Sequence, residues 1–284
     1  MCPIPFRIKI ALRLKRVPTR PSAKLSAVCL AISWLSGAEL QIDHVTVAGK
    51  NLEAMRAALK AVGIPSEYGG AHSNHATEMA QVSFPDGSYL ELIAIQPHAD
   101  QAAVDANPWS KALKTDGGPC AFAVRATKAL DKPEAGGRTR PDGKKIAWET
   151  ADSNSGPRGS FFPFLIRDVT PREDRVYPTG KPTTDLYRGV GKVVIAVKEL
   201  DASIANYRHA YGLPAPRAEH SIDLDATLAV FEGTPIVLAS GGGWLTQRIQ
   251  QYGEAPCAFI LIKKGSGKAV WFDEARLGWK LGVQ

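Results

Sequence analysis

The residue with the clearest chemical meaning is Glu91, which interrupts an otherwise apolar run, Tyr89-Leu-Glu-Leu-Ile-Ala-Ile95. Such a run predicts a buried β-strand, and a carboxylate buried there costs several kcal/mol unless it is paired or coordinates a metal. Glu91 is therefore the first candidate for a metal ligand and for a catalytic carboxylate. The alternative is a structural carboxylate that an arginine or backbone donors hold in place.

Three histidines stand where they could join Glu91. His44 lies in the β-branched run Ile42-Asp-His-Val-Thr-Val47, and His72 and His75 lie just before another predicted strand. Imidazole and carboxylate groups together suit divalent metals such as Zn, Fe, Mn and Ni, which the sequence does not distinguish. The alternatives are a satisfied strand histidine for His44 and solvated loop residues for His72 and His75. The other three histidines have no supporting context and are expected at the surface: His98, His209 and His220.

Asp43 directly precedes His44 in the same predicted strand. Consecutive side chains of a regular strand point to opposite faces. We therefore expect no direct contact between Asp43 and His44.

The elements that would carry these residues occur twice in the chain. Residues 42–63 and 190–212 each contain a β-branched run, a polar break and a helical stretch ending at a glycine, where a left-handed cap fits. Short strand candidates follow in each copy, at about 64–69, 78–84 and 88–95 and at about 213–217, 226–231 and 234–240. Each copy therefore predicts a β-α-β-β-β module.

Two further segments, residues 118–169 and 256–284, look like shorter versions of the module. The stretch over 170–189 contains prolines and little apolar content, which predicts a linker. The predicted organisation is a basic leader over 1–38, a first half with two modules over 39–169, a linker over 170–189, and a second half with a third and a truncated fourth module over 190–284.

Residues 42–63, together with the run Phe84-Pro-Asp-Gly-Ser-Tyr-Leu-Glu-Leu-Ile-Ala94, resemble the glyoxalase-like domain of the vicinal oxygen chelate superfamily. The resemblance implies an α+β fold in which repeated β-α-β-β-β modules form curved mixed sheets around a cup. Many members hold a divalent metal in that cup, with ligands on the first and last strands of each module. For this chain it implies that His44 and Glu91 are metal ligands, with His75 or His72 as the third.

The chain departs from the family pattern in three of its four modules. Alignment of the two full copies places Lys192 where His44 stands and Val237 where Glu91 stands. In the 118–169 segment the matching positions fall near Ala121 or Phe122 and at Phe164. These modules therefore offer no ligand at the family positions, which favours a metal-free binding protein as the rival hypothesis.

Cys120 and Cys257 occur in the matching contexts Gly-Pro-Cys-Ala-Phe and Ala-Pro-Cys-Ala-Phe. Two isolated thiols without Cys-x-x-Cys spacing are weak evidence for metal or redox chemistry. We interpret both as small strand residues that face a core.

The positive charge of the chain is concentrated at its N-terminus. The 35 Lys and Arg residues exceed the 28 Asp and Glu residues by seven, and residues 1–38 hold seven basic side chains and no acid. The remaining chain is neutral, which argues against nucleic-acid binding.

The basic stretch is followed by an uncharged run over 25–35 and by the small residues Ser36-Gly-Ala38. This order predicts an export signal for a periplasmic or secreted protein. A mitochondrial presequence and an uncleaved anchor are the alternatives, and no second run is long enough to span a membrane.

Nucleotide-binding loops, serine-nucleophile elbows and His-Glu-x-x-His motifs are absent from the sequence. The leading hypothesis is a metal-assisted lyase, isomerase or dioxygenase that acts on a small oxygen-bearing molecule, with the divalent metal as the expected cofactor. The rival is a metal-free protein that binds or sequesters a small molecule. The expected partner is a small-molecule substrate or ligand, and a homodimer is left open.

Overall fold

Two curved sheets, each assembled from repeated strand units, form the protein. The computed structural model describes residues 40–153, 157–263, 269–272 and 274–284, all within one compact unit. The leader predicted over 1–38 lies outside the described residues. The elements follow in chain order: β1 (Ile42–Ala48), α1 (Leu52–Ala61), β2 (Glu67–Ala71), β3 (Thr77–Ser83), β4 (Tyr89–Ile95), α2 (Gln101–Ala106), α3 (Ser110–Thr115), β5 (Gly118–Arg125), β6 (Glu134–Thr139), β7 (Lys145–Asp152), β8 (Phe164–Asp168), α4 (Arg172–Val176), β9 (Tyr187–Ala196), α5 (Leu200–Tyr211), β10 (Arg217–Ser221), β11 (Ala226–Val230), β12 (Ile236–Gly241), α6 (Gly243–Tyr252), β13 (Ala255–Lys263), β14 (Val270–Trp271), α7 (Glu274–Leu277) and β15 (Lys280–Val283).

The first sheet joins two modules back to back. Its eight strands run in the order β2-β3-β4-β1-β5-β8-β7-β6. Within each module the first strand pairs in parallel with the last, β1 with β4 and β5 with β8. The two first strands, β1 and β5, pair antiparallel and join the modules.

The two edges of the first sheet come back together. His72, directly after β2, forms an isolated antiparallel bridge with Arg138 of β6. The backbone N–H of Ser73 donates to the carbonyl of Gly137 at 2.9 Å. The sheet therefore curls almost into a barrel and encloses a cup.

The second sheet repeats the arrangement with one strand fewer, in the order β10-β11-β12-β9-β13-β15-β14. Its register confirms the equivalence of the two copies: Thr46 lies opposite Glu91 in the first sheet, and Val194 lies opposite Val237 in the second. Lys192 therefore stands where His44 stands, two residues earlier on the first strand. The predicted α+β fold of repeated modules with curved mixed sheets is confirmed.

Two predicted strands start later than expected, at Glu67 rather than 64 and at Arg217 rather than 213. Ile64 and Leu213 follow the module helices and are buried in the core as loop residues. Because they are apolar, the sequence pattern placed the start of each strand too early. No helix among the described residues is long and apolar enough to cross a bilayer.

The segment predicted as a linker contains a short helix, α4, and the first residues of β9. A shared apolar core packs the two sheets together. Its buried members include Phe122 of β5, Phe259 of β13 and Phe231, which directly follows β11. The first sheet is therefore supported on one face and free to enclose a cup on the other.

Candidate functional site

The parallel pairing of β1 with β4 brings His44 and Glu91 onto one face of the sheet. His44 lies opposite Tyr89 and Thr46 lies opposite Glu91. His44 Nε2 is 3.6 Å from Glu91 Oε2, and the Thr46 hydroxyl donates to the same oxygen at 2.9 Å. Each of these residues is less than a tenth exposed, so the group lies at the floor of the cup.

The closure of the first sheet supplies a second imidazole. His72 Nε2 is 3.4 Å from Glu91 Oε1, and the Nδ1 atom of His72 is 2.8 Å from the Thr77 hydroxyl. Glu91 therefore has one imidazole beside each of its carboxylate oxygens.

His75 lies apart from this group. It is exposed, its backbone φ of 56° is left-handed, and its side chain does not line the cavity. The structure thus brings together His44, Glu91 and His72 from the predicted ligand set, and it leaves His75 outside. The remaining histidines are exposed, as expected: His98, His209 and His220.

Asp43 and His44 are in direct contact, so the expectation that they point apart is wrong. Asp43 Oδ1 is 2.7 Å from His44 Nδ1. The register of β1 against β5 shifts between Ile42 and His44, and an irregularity of this kind breaks the strict alternation of side chains. The contact engages Nδ1 of the imidazole and leaves Nε2 facing Glu91.

Two arginines of α4 hold Asp43 from the other side. Arg175 donates from Nη1 and Nη2 to the two carboxylate oxygens of Asp43, at 2.9 Å each. Arg172 Nη1 donates to Asp43 Oδ2 at 2.6 Å. Both guanidinium groups also bind Asp168. The segment predicted as a linker therefore supplies the cations that neutralise the buried carboxylate next to His44.

The surroundings keep both carboxylates ionised. Burial would raise the pKa of Glu91, but His44, His72 and the Thr46 hydroxyl lower it to about 2. Burial would likewise raise the pKa of Asp43, but Arg175 and then His44 hold it well below its usual value. Glu91 is thus an anion at neutral pH with no arginine or lysine within ion-pair distance among the described residues.

A cavity of about 350 Å³ opens above Glu91 and has polar and aromatic walls. Trp109, Trp148 and Phe164 form the aromatic part of the lining. A methyl group in place of the Gly136 hydrogen would lie 2.3 Å from the Trp148 Nε1 atom, so a glycine at this point of β6 lets the indole lie across the strand. The cavity is therefore suited to a small molecule with both polar and planar apolar parts.

The donors beside the cavity fit a divalent metal in type. Two imidazoles and one carboxylate are a set that binds Fe(II) and related metals. Two ligands of one metal, each at about 2.0–2.2 Å, lie about 3.0–3.6 Å apart. The separation from His72 Nε2 to Glu91 Oε1 is 3.4 Å, and that from His44 Nε2 to Glu91 Oε2 is 3.6 Å. In the part of the chain that the structure describes, no three His, Cys, Asp or Glu side chains are already arranged to hold a metal ion.

The described residues of the second sheet form no comparable site. Val194 and Val237, at the positions of Thr46 and Glu91, are buried in an apolar cluster with Leu245 and Ile249 of α6. Lys192, at the position of His44, donates to the carbonyl of Thr234 at 2.6 Å. The second cup is therefore packed with side chains.

The two cysteines are equivalent strand residues in the core, as expected. Cys120 Sγ contacts the carbonyl of Thr46 at 3.6 Å, and Cys257 Sγ contacts that of Val194 at 3.4 Å. Burial raises the pKa of each thiol to about 12. Neither thiol takes part in the site at Glu91.

The family model of the glyoxalase-like domain matches residues 42–208, which is more than half of the chain. The chain belongs to this family. The glyoxalase-like fold places it in the vicinal oxygen chelate superfamily, and the resemblance seen in the sequence is confirmed.

Solved structures similar to the glyoxalase-like chain include a hypothetical protein from Staphylococcus aureus, with 12% identity, a TM-score of 0.59, and coverage of 86% of this chain and 99% of that one. A triple mutant of 4-hydroxymandelate synthase from Streptomyces coelicolor has 11% identity, a TM-score of 0.51, and coverage of 80% of this chain and 72% of that one. At such identities the similarity shows the fold alone. A comparison with curated proteins gives no significant match.

Sequence reasoning missed two residues of the glyoxalase-like site, Arg138 and Arg175, and it assigned a third, Asp43, to the wrong face of its strand. Arg138 of β6 is 4% exposed and lines the cavity. The stretch Arg172-Glu-Asp-Arg175 carried a signal, because residues three apart share one side of a helix. Nothing in the sequence around Arg138 indicated that sheet closure would bring it beside His72.

Proposed function

We propose that this glyoxalase-like protein is a divalent-metal-dependent lyase, isomerase or dioxygenase that acts on a small oxygen-bearing molecule. The observation that carries the proposal is the position of Glu91 between the imidazoles of His44 and His72 at the floor of a cavity. These three side chains would hold the metal. A metal bound there would polarise substrate oxygens and stabilise negative charge that develops on them.

The surrounding residues would prepare the ligands for this role. Asp43 accepts the Nδ1 proton of His44, which sets the tautomer and directs the Nε2 lone pair into the cavity. Thr46 fixes one oxygen of Glu91 by donating to it. Trp109 and Trp148 cover the apolar side of the cavity, so a bound molecule would be partly shielded from water.

A metal-free binding protein is the second candidate. It is favoured by the contacts that Glu91 already makes with Thr46 and the two imidazoles, which satisfy the carboxylate without a metal. On this hypothesis the cavity would bind its ligand through the polar and aromatic walls alone.

Metal titration separates the two functions. The protein is treated with a chelator and then titrated anaerobically with Fe(II), Mn(II), Zn(II) and Ni(II) in a calorimeter. We expect one equivalent of at least one metal to bind the unmodified protein, and His44→Ala, His72→Ala and Glu91→Ala to weaken that binding at least tenfold.

His75→Ala is the matched control, because His75 belongs to the same loop as His72 but lies outside the cavity. It should bind metal as the unmodified protein does. Failure of the unmodified protein to bind any of the four metals would overturn the enzyme proposal in favour of the metal-free protein. An equal loss in the His75→Ala variant would show that the titration does not report on this site.

A further inference from the structure

Arg138 is a buried cation whose hydrogen-bond partners are all neutral. It is 4% exposed and lines the cavity above Glu91. Its guanidinium donates to the carbonyls of Gly69 at 2.5 Å and Arg175 at 2.9 Å, and to the Gln81 side-chain oxygen at 3.2 Å. These bonds use three of its five N–H donors.

The other two arginines of the cavity are already matched by carboxylates. Arg158 binds Glu134 at 2.5 Å and Asp152 at 2.9 Å. Arg175 binds Asp43 and Asp168. In the described parts of the chain no carboxylate lies within the 4.0 Å ion-pair distance of Arg138. Among the described residues, Arg138 is therefore the one arginine of the cavity that has no carboxylate in ion-pair contact, and Glu91 attracts it only from beyond that distance.

A buried charge without a partner destabilises a protein strongly, so such a group is retained where something else balances it. A guanidinium matches the planar geometry of a carboxylate. Trp148, Trp109 and Phe164 offer flat apolar surfaces in the same cavity, and the volume of about 350 Å³ admits a molecule of modest size.

We propose that Arg138 binds the carboxylate of the substrate, and that the substrate is a small carboxylic acid with a planar apolar body. This assignment rests on the proposed function for the claim that the cavity is where the substrate reacts. It names the substrate class of that site and does not require the metal for binding. Arg138 is the specificity-determining residue, and the aromatic walls hold the rest of the molecule.

The first test compares two probes of the same shape on the chelator-treated protein, benzoate and its neutral counterpart benzamide. Binding is followed by calorimetry and by the fluorescence of the cavity tryptophans. A hydrogen-bonded charge pair predicts that benzoate binds about 10- to 100-fold more tightly than benzamide. Equal binding of the two probes, or no binding of benzoate, overturns the proposal. Inorganic phosphate is the third probe, and phosphate binding as tight as that of benzoate would overturn the assignment to a carboxylate.

The second test identifies the residue. Arg138→Met should abolish the preference for benzoate, whereas Arg138→Lys should keep part of it, because lysine retains the charge without the planar fork. Arg140→Met is the matched control. Arg140 directly follows β6 and, like Arg138, donates to backbone carbonyls in or near α4, here those of Asp174 and Pro178. Unlike Arg138, it does not line the cavity. A full preference in folded Arg138→Met overturns the assignment to Arg138, and so does an equal loss in Arg140→Met.

Where Arg138→Met does not fold, the Arg138→Lys variant decides. Its preference for benzoate should fall by about 3- to 10-fold, and an unchanged preference would overturn the role of the guanidinium.

The metal titration distinguishes failure of this inference from failure of the proposed metal-dependent function. If the unmodified protein binds metal but shows no preference for benzoate, this inference alone fails. If the unmodified protein shows the preference but binds no metal, the metal-dependent function alone fails.

Discussion

Replacement of Asp43 by asparagine tests whether the arginine pair of α4 organises the site. Asp43 is fully buried and accepts two bonds from Arg175, one from Arg172 and one from His44. Asparagine keeps the size but removes the charge, and its amide group faces donors. Breaking a buried ion pair by removing one partner costs about 3–5 kcal/mol, which for a domain of this size lowers the melting temperature by about 6–20 °C.

The assay is chemical and thermal denaturation of Asp43→Asn beside Asp168→Asn. Asp168 binds the same two arginines but is half-buried, with its side chain 18% exposed, and makes no contact with His44. Its loss should cost less than that of Asp43. Metal affinity should fall about 10- to 100-fold for Asp43→Asn, because the imidazole loses its orienting acceptor, and should change little for Asp168→Asn.

The pH dependence has a definite sign. The pKa of Asp43 is lower in the folded than in the unfolded protein, so its stabilisation is present above the unfolded value and is lost as the pH falls towards the folded value. The stability difference between the unmodified protein and Asp43→Asn should therefore shrink below about pH 4. A melting temperature within about 2 °C of the unmodified protein at pH 7, or equal losses for the two variants, would refute the reasoning.

Three further perturbations test other parts of the structure. Cys120 and Cys257, with thiol pKa values raised by burial to about 12, should resist alkylation at pH 8 in the native protein and react on unfolding, as peptide-level mass spectrometry would show. Gly136→Ala should cost about 1–3 kcal/mol in denaturation experiments, because its methyl group would collide with the Trp148 indole. Val237→Glu should cost at least about 3 kcal/mol, because it buries an unpaired carboxylate in the apolar cluster of the second cup.

Each of these has a control or a contrary outcome. Alkylation of either buried thiol at the rate seen in denaturant would contradict the burial argument. Gly242→Ala should cost less than Gly136→Ala, because the added methyl group would meet nothing within 4 Å and only the N-cap of α6 is weakened. Val237→Thr should cost less than Val237→Glu, because a hydroxyl is neutral and smaller, and equal costs would count against charge burial as the cause.

The sequence predicted the fold through features that are local and periodic. The β-branched runs, the helices that end at Gly63 and Gly212, and the tight turn before β4 each depend on neighbouring residues, so the chain alone reveals them. The position of Glu91 could be anticipated for the same reason, because a charge in an apolar strand stands out against its neighbours.

The rest of the site depends on contacts between distant residues. His72 rather than His75 faces Glu91 because the edges of the first sheet meet at the bridge between His72 and Arg138, and sheet closure leaves no mark in the loop sequence. Asp43 could not be assigned from alternation, because a register shift in β1 breaks the rule. The role of Arg175 could not be predicted, because it lies in a proline-containing stretch that the sequence pattern indicated as a linker. The short helix α4 that carries it depends on contacts with distant residues such as Asp43.

The packed second cup has a consequence for how this chain could be altered. In the second sheet, Leu245 and Ile249 of α6 fill the place that corresponds to the open cavity of the first sheet. The first copy must therefore keep particular functional groups in its cup, whereas the second copy needs only side chains of the right volume and shape. A protein engineer could therefore exchange apolar residues of similar size in the second copy and adjust thermal tolerance there. The residues of the first copy that face its cavity offer no such freedom, and a library restricted to the second half would explore stability while leaving the ligand set untouched.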